Sequence, residues 1–295
     1  MALGLFAELA AVIIPVLILA CIGYYLQKTN QAFDTKALTP LIINFGTPAL
    51  VVYALLNAEI RLSDLGEMAA ISLLMQALFG VIGYVMFKSL GWNIRTYLPV
   101  TMLPNNGNLG LPLCLFAFGE EGMALGVAYF AILPLSQFTI GQAIAAGHAN
   151  LTKLFKNPMI WGLALSLALI QLDISLPQWV MNSLELTGSF TIPLMLVTLG
   201  ISLAKLHVRS LPRAALIGFI RVFGGIAAGF FFVWLFDLQG VARGVVLIQA
   251  AMPSAVFNYL FANLYDNQPE EVAGVIVVST VICFITLPFL LPWVF

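Results

Sequence analysis

The sequence predicts an all-α polytopic membrane protein that crosses the bilayer ten times. Of its 295 residues, 61% are hydrophobic and only 8% are charged, the mean hydropathy is +1.02, and the apolar residues fall into ten runs with short loops between them. Soluble proteins carry about 25% charged residues. The composition therefore excludes a soluble domain, and a net charge of −1 gives no signal for nucleic acid.

The ten predicted spans follow one another without room for an inserted domain. Each approaches the roughly 20 apolar residues that a membrane-spanning helix needs. Their approximate bounds are 6–26, 37–56, 65–87, 97–118, 122–146, 157–172, 180–204, 211–236, 242–264 and 271–294. The first run lacks the basic segment that opens a secretory signal, so we expect it to be a retained helix.

Lys and Arg are divided unequally between the two sides of the predicted bilayer. Nine of them lie in or beside the loops after spans one, three, five and seven, whereas only Arg61 and Arg243 lie on the opposite side. Loops rich in Lys and Arg face the cytoplasm. We therefore expect both termini to lie on the non-cytoplasmic side of the membrane.

Similar short motifs recur at a nearly constant offset and indicate an internal repeat. Three pairs of positions correspond, at Pro48 and Pro193, Pro104 and Pro253, and Glu120 and Glu270. Five spans per copy is an odd number, so the second copy enters the membrane upside down, as in secondary transporters. The chain is thus predicted to divide into inverted repeats at residues 1–148 and 149–295.

The fourth span is interrupted at its centre by residues 103–112, which read LPNNGNLGLP. Pro104 removes a helical hydrogen bond, and its ring clashes with the preceding turn. Irregular backbone survives in a membrane only inside protein or beside a water-filled cavity. With the matching break at Pro253 in span nine, this predicts a binding site between half-helices. Their N-termini favour an anion, although the opposing C-termini could hold a cation.

Polar side chains near the two breaks are the candidate ligands. Asn105, Asn106 and Asn108 carry donors and acceptors that hydrocarbon cannot satisfy. The same side chains could instead cap the second half of the broken helix. The further candidates near the two breaks are Pro104, Pro253, Ser254, Gln137 and Asn258, with Val51 and Tyr53 as an apolar wall.

Arg221 is the one charge deep inside a predicted span. A charged residue in the membrane is a candidate site residue by default. Two roles stay open for Arg221, which are contact with substrate and hydrogen bonds to the carbonyls of the broken span nine. No Asp, Glu or His lies deep in any span, so a proton relay lacks its usual group. Uniport of an anion is the simplest mode, and a proton on the substrate or a bound Na⁺ remains an alternative.

Neither metal binding nor catalysis has a sequence signal. Cys21, Cys114 and Cys283 lie in apolar runs at unrelated spacings, and the two histidines fall between runs. We therefore expect no disulfide, metal or cofactor. The chain has no HExxH motif, no GxSxG motif and no carboxylate pair within a span, so we do not expect an enzyme.

Residues 104–113, which read PNNGNLGLPL, resemble the span-four motif of the auxin efflux carrier family. This family includes the plant PIN proteins and bacterial malate and malonate permeases. Residues 249–253 (QAAMP) and 261–265 (FANLY) resemble its ninth span, and residues 157–158 resemble the start of its sixth. The long loop of plant PINs between spans five and six is absent, so the chain is similar to compact bacterial members.

The resemblance implies a fold, a substrate class and a mechanism. It implies a scaffold of spans 1, 2, 6 and 7, and a transport domain of spans 3–5 and 8–10 whose fourth and ninth helices cross at their prolines. It implies that Asn105 contacts the substrate, a small organic carboxylate such as malate, malonate or an auxin-like acid. It also implies that this substrate is transported by alternating access, as efflux or uniport. A homodimer in the bacterial inner membrane follows from the same resemblance. A proton- or sodium-coupled symporter, and a channel or sensor on this scaffold, are the alternatives.

Overall fold

The computed structural model describes residues 2–31, 35–58, 61–147, 156–206 and 210–294, with side chains from residue 10 in the first range and from residue 38 in the second. Helices make up almost all of these ranges, and no strand occurs within them. In chain order the helices are α1 (Ala2–Lys28), α2 (Thr35–Leu41), α3 (Thr47–Asn57), α4 (Leu62–Ser89), α5 (Ile94–Met102), α6 (Leu111–Phe130), α7 (Ile132–Ser136), α8 (Gln142–Ala146), α9 (Pro158–Gln171), α10 (Gln178–Ser189), α11 (Thr191–Lys205), α12 (Leu211–Leu235), α13 (Gly240–Ala250), α14 (Phe257–Leu264) and α15 (Pro269–Val294). Three π-helical turns lie among them, named π1 (Ile42–Gly46), π2 (Asn106–Gly110) and π3 (Gln137–Gly141).

Seven helical stretches of the described chain are long and apolar enough to cross a membrane. They are Ala10–Lys28, Leu38–Asn57, Leu62–Ser89, Asn106–Ala146, Gln178–Lys205, Leu211–Leu235 and Pro269–Val294. Two shorter apolar helices, α9 and α13, accompany them. The prediction of an all-helical, multi-pass membrane protein is therefore confirmed. Seven long stretches are fewer than the ten predicted spans.

Part of that difference comes from the 41-residue stretch Asn106–Ala146. A straight helix of this length would measure roughly 60 Å, about twice the thickness of the hydrocarbon core. Gly119 interrupts it with φ +63° and ψ −149°, and a Cβ atom at Gly126 would lie 3.2 Å from that of Cys114. Residues twelve apart in a straight helix are about 18 Å apart. The chain therefore reverses at Gly119, and the two arms pack side by side.

Helices α1 and α11 pack with their backbones in direct contact. A Cβ atom at Gly23 would overlap the carbonyl oxygen of Val197, and one at Gly200 would overlap that of Ala20. Small residues at a crossing allow this approach, which supplies the van der Waals contact that joins helices in lipid.

Other extensive helix contacts divide into two groups. Helix α3 packs against α9 and α10, close to the pair of α1 and α11. Helix α12 packs against α15 and α13, α4 packs against α5 and α6, and α13 packs against α6. Contacts of α6 with α1 and α3 join the two groups. The gaps between α5 and π2 and between α13 and α14 are buried, apart from the partly exposed Val256.

Candidate substrate site at the helix crossing

The two predicted helix breaks are present, and they meet. The backbone N–H of Asn105 donates a hydrogen bond to the carbonyl oxygen of Pro253 at 2.7 Å, and the N–H of Ala255 donates to that of Leu103 at 3.0 Å. The two gaps thus pair as a short antiparallel bridge. This pairing satisfies backbone groups that the breaks would otherwise leave exposed to a membrane interior.

Buried side chains reinforce the bridge. The side-chain amide of Asn258 donates to the carbonyl of Leu103 at 3.0 Å and to the hydroxyl of Ser254 at 3.1 Å. The hydroxyl of Ser279 accepts from the backbone N–H of Ser254 at 3.2 Å. Ser254, Asn258 and Ser279 are all buried. These contacts give them a role in holding the crossing together.

A cavity of about 390 Å³ lies beside the crossing. Small-molecule sites measure about 300–1,000 Å³, so this cavity is large enough for a small ligand. Its polar lining consists of Thr39, Thr47, Asn105, Asn108, Gln137, Asn157, Thr198, Ser202, Lys205 and Tyr259. Its larger apolar lining residues are Ile42, Ile43, Phe130, Leu133, Phe138, Met159, Met195, Leu206, Val256, Phe257 and Leu260.

Each of the three π-helical turns in the described chain contributes to this cavity wall. π1 supplies Ile42 and Ile43, π2 supplies Gly107 and Asn108, and π3 supplies Gln137 and Phe138. A π-helical turn locally widens a helix and is frequent at functional sites. Their convergence on one cavity therefore marks it as the candidate site.

Hydrogen-bond donors collect where π2 meets the cavity. The first N–H groups of a helix have no partner within it, and Gly107 and Asn108, just inside the start of π2, both line the cavity. The side-chain amide nitrogens of Asn105 and Gln137 are buried and have no hydrogen-bond partner among the described residues. A helix N-terminus with unpaired donors around it attracts an anion. The chemistry of this corner suits a carboxylate.

Lys205 is the charged side chain of the cavity lining and was not among the sequence candidates. Met195, Thr198, Ser202 and Lys205 follow one another along α11 at spacings of three and four residues. Residues at these spacings share one face of a helix. The polar residues on this face stand out within an apolar helix. This pattern was the signal in the sequence that could have identified Lys205 as a lining residue.

The remaining candidates are not among the residues that line the cavity. Pro104 and Pro253 form the breaks themselves, and Asn106 is fully buried beside them, with no hydrogen-bond partner among the described residues for its amide group. Val51 is fully buried in the hydrophobic core and is not among the lining residues. Thr47, which lies one helical turn before Val51 in α3, lines the cavity instead.

Arg221 lies in the middle of α12 and is 1% exposed. Its Nε donates to the carbonyl oxygen of Met252 at 3.1 Å, and its Nη2 donates to that of Ala250 at 3.0 Å. Its guanidinium carbon lies 4.3 Å from the centroid of the Phe79 ring. Arg221 is not among the residues that line the cavity. Two roles were considered for Arg221. The geometry supports the second of them, which is hydrogen bonding to carbonyls of the second broken helix.

Known proteins resemble the chain over nearly its whole length. The family model for membrane transport proteins matches residues 143–291, which is half of the chain. An uncharacterized transporter of Methanocaldococcus jannaschii is 27% identical over 91% of this chain and 93% of its own. An uncharacterized transporter of Methanothermobacter thermautotrophicus is 26% identical over 94% of this chain and 95% of its own. Together with the broken helices and their motifs, these matches show that the chain is a multi-pass membrane transporter and belongs to the membrane transport protein family of auxin efflux carriers and permeases.

Proposed function

We propose that this transporter is a secondary carrier that moves a small organic carboxylate across the membrane by alternating access. The observation that carries the proposal is a set of donors that have no hydrogen-bond partner among the described residues and that belong to residues lining the cavity. They are the amides of Asn105 and Gln137 and the N-terminal N–H groups of π2. A carboxylate is an acceptor with two oxygens, so it satisfies several of these donors at once.

The shape of the cavity lining supports a substrate with a polar end and an apolar body. Asn105 and Gln137 provide the donor corner, while Phe130, Phe138 and Phe257 provide aromatic surface nearby. Malate, malonate and an auxin-like aromatic acid are the test substrates, because they share the carboxylate and differ in that body.

The proposal includes an orientation in the membrane. Thr39 and Lys205, which are both exposed, and the half-buried Ser202 line the cavity near chain segments that are rich in Lys and Arg. By the positive-inside rule this end faces the cytoplasm. The described conformation is then open to the cytoplasm, and both termini lie on the far side of the inner membrane.

The two groups of packed helices correspond to the two moving parts that the proposal requires. α1, α3, α9, α10 and α11 would form the scaffold, and α4–α8 with α12–α15 would form the transport domain. The pairing of α1 with α11 and of α3 with α9 is the symmetric relation that two inverted repeats produce. The homodimer expected from the family resemblance stays a prediction alongside this division.

The buried charged side chains support transport as a uniport. Among side chains that the structure describes, the buried set contains Arg221 as its charged member and no Asp or Glu. A protein-side proton carrier normally needs a carboxylate or histidine in the membrane. An anion leaving the cell without a coupled ion is driven outward by the inside-negative potential.

Purified protein in liposomes tests the proposal, with a potential set by potassium and valinomycin. We expect saturable uptake of at least one labelled acid among malate, malonate and indole acetate. The rate of this uptake should increase with an inside-positive potential. The Asn105→Ala variant should lose most of this flux at low substrate concentration. Flux that ignores voltage and follows a pH gradient would replace uniport by proton-coupled symport.

A channel or a sensor on the same scaffold is the second candidate function, because broken helices are compatible with either of them as well as with a carrier. Counterflow separates the two classes. Liposomes that contain a carrier and are loaded with unlabelled acid should transiently accumulate labelled acid against its concentration gradient. Liposomes that contain a channel should not. Saturation without counterflow would exclude the carrier.

A further inference from the structure

Arg221 differs from the other charged groups of the described chain in being fully buried. Among the buried polar side chains of the described ranges it is accompanied by amides and hydroxyls, and by no Asp or Glu. A charge in a membrane interior is costly and requires compensation. The compensation here comes from the carbonyl oxygens of Ala250 and Met252 and from the face of the Phe79 ring.

The carbonyl of Ala250 belongs to the last residue of α13, and that of Met252 lies two residues further on, in the gap where the helix breaks. The last carbonyl groups of a helix lack partners within it and carry the negative end of the helix dipole. In transporters with broken helices, such ends commonly coordinate a metal cation. In this chain the guanidinium already donates to them at 3.0 and 3.1 Å.

We propose that Arg221 is a built-in cation that replaces a bound Na⁺ at the crossing and positions the substrate-binding donors. The path of contacts is continuous. Arg221 fixes the carbonyl of Met252, the next residue Pro253 accepts the backbone N–H of Asn105 at 2.7 Å, and the Asn105 side chain lines the cavity. Arg221 is thus a positioning residue, which acts on the substrate through the backbone of the second broken helix.

The wild-type protein gives the first test, through its melting temperature in detergent. Because the guanidinium fills the cation position, replacing choline by Na⁺ at constant ionic strength should leave the melting temperature unchanged. It should also leave transport in liposomes unchanged. A Na⁺-dependent rise in either quantity would overturn the proposal.

The second test uses Arg221→Gln and Arg221→Lys, with Arg243→Gln as the matched control. Arg243 also donates to a backbone carbonyl, that of Trp293 at 2.9 Å, but it is partly exposed and lies outside the cavity lining. We expect Arg221→Gln to raise the KM for the transported acid about tenfold, because a hydrogen bond from a charged group is lost. Arg221→Lys, which keeps the charge, should retain an intermediate KM, and the control should keep the wild-type value.

Chemical rescue separates a positioning cation from a merely structural side chain. Methylguanidinium in the millimolar range should bring the KM of Arg221→Gln back toward the wild-type value, and it should leave that of Asn105→Ala unchanged. A wild-type KM in Arg221→Gln, or an increase that methylguanidinium does not reverse, would contradict the proposal. If Arg221→Gln does not fold, Arg221→Lys and the Na⁺ comparison still decide. The transport readout rests on the function proposed above, whereas the melting comparison does not, so the two can fail separately.

Discussion

Asn105 is fixed through its backbone and lines the cavity, while its buried side-chain amide nitrogen has no hydrogen-bond partner within the part of the chain that the structure describes. We therefore expect Asn105→Ala to raise the KM for the acid at least tenfold, the loss expected for a hydrogen bond to a charged group. The melting temperature should stay the same or rise, because removing an unpaired buried donor relieves a desolvation cost. Transport assays and thermal melts of one preparation measure both quantities.

The matched control for this variant is Asn263→Ala, since Asn263 is exposed and lies outside the cavity lining. It should change neither quantity. A fall in melting temperature that parallels the loss of transport would instead make Asn105 a structural cap of π2.

Lys205 brings a positive charge to the exposed part of the cavity. We expect Lys205→Gln to raise the KM about two- to fivefold, a modest effect because exposed charges interact weakly. The difference from wild type should shrink at high salt, where charges are screened. Lys88→Gln, which removes an exposed lysine from the end of α4, is the control. An equal effect of both variants would assign the change to surface charge in general.

Sequence reasoning selected candidate residues because polar side chains are conspicuous inside a predicted span. Two of these candidates, Asn105 and Gln137, are among the residues that line the cavity. It did not select Thr198 and Ser202, because Thr and Ser are tolerated along any membrane helix. It did not select Lys205, because that residue follows the predicted span 180–204 and was counted as a loop charge. It selected Val51 from its nearness to Pro48, but a position one turn away, at Thr47, lines the cavity.

At the scale of helices, the contact between α1 and α11 has the sharpest steric limit. A methyl group at Gly200 would overlap the carbonyl oxygen of Ala20, so Gly200→Ala should lower stability by about 1–3 kcal/mol. Gly66 in α4 has open space around it, and Gly66→Ala should instead raise stability by about 0.5–1 kcal/mol through helix propensity. Thermal melts of both variants in detergent measure the difference. Equal melting temperatures would show that the two helices separate readily at this point.

The helix breaks were predictable, whereas the π-helical turns were not. Pro104 and Pro253 interrupt helices because proline lacks an N–H and clashes with the turn before it. A π-helical turn depends on side chains from several helices that pack around it, and such contacts have no local signature. The reversal at Gly119 lies between the predicted spans 97–118 and 122–146.

For the whole molecule, the proposed orientation predicts which side of the membrane reaches the cavity. In a Cys21→Ser background, Ser202→Cys should react with a membrane-impermeant maleimide from the cytoplasmic side, and excess substrate should slow the reaction. Cys114 and Cys283 are buried and should stay unlabelled. Ser63→Cys, next to Arg61 at the opposite end, should react only from outside. Labelling of both positions from one side would contradict the orientation or the inward-open state.

The overall plan was readable from the sequence because lipid imposes strong rules on span length, charge placement and backbone pairing. The location of the cavity depends on how two groups of packed helices are positioned relative to each other. No linear pattern encodes that position, so the sequence predicted the crossing and left open which side of it would be accessible.

The backbone bridge between the two broken helices has a mechanical consequence. Because Asn105 and Ala255 donate across it to Pro253 and Leu103, the helices cannot slide past each other without breaking main-chain hydrogen bonds. The crossing should therefore travel as one rigid piece while the surfaces around it rearrange. In deuterium-exchange experiments, the amides of Asn105 and Ala255 should exchange slowly with and without substrate, whereas amides around π1 should change their rate when the cavity opens or closes. Fast exchange at Asn105 in either condition would show that the crossing itself comes apart in each cycle.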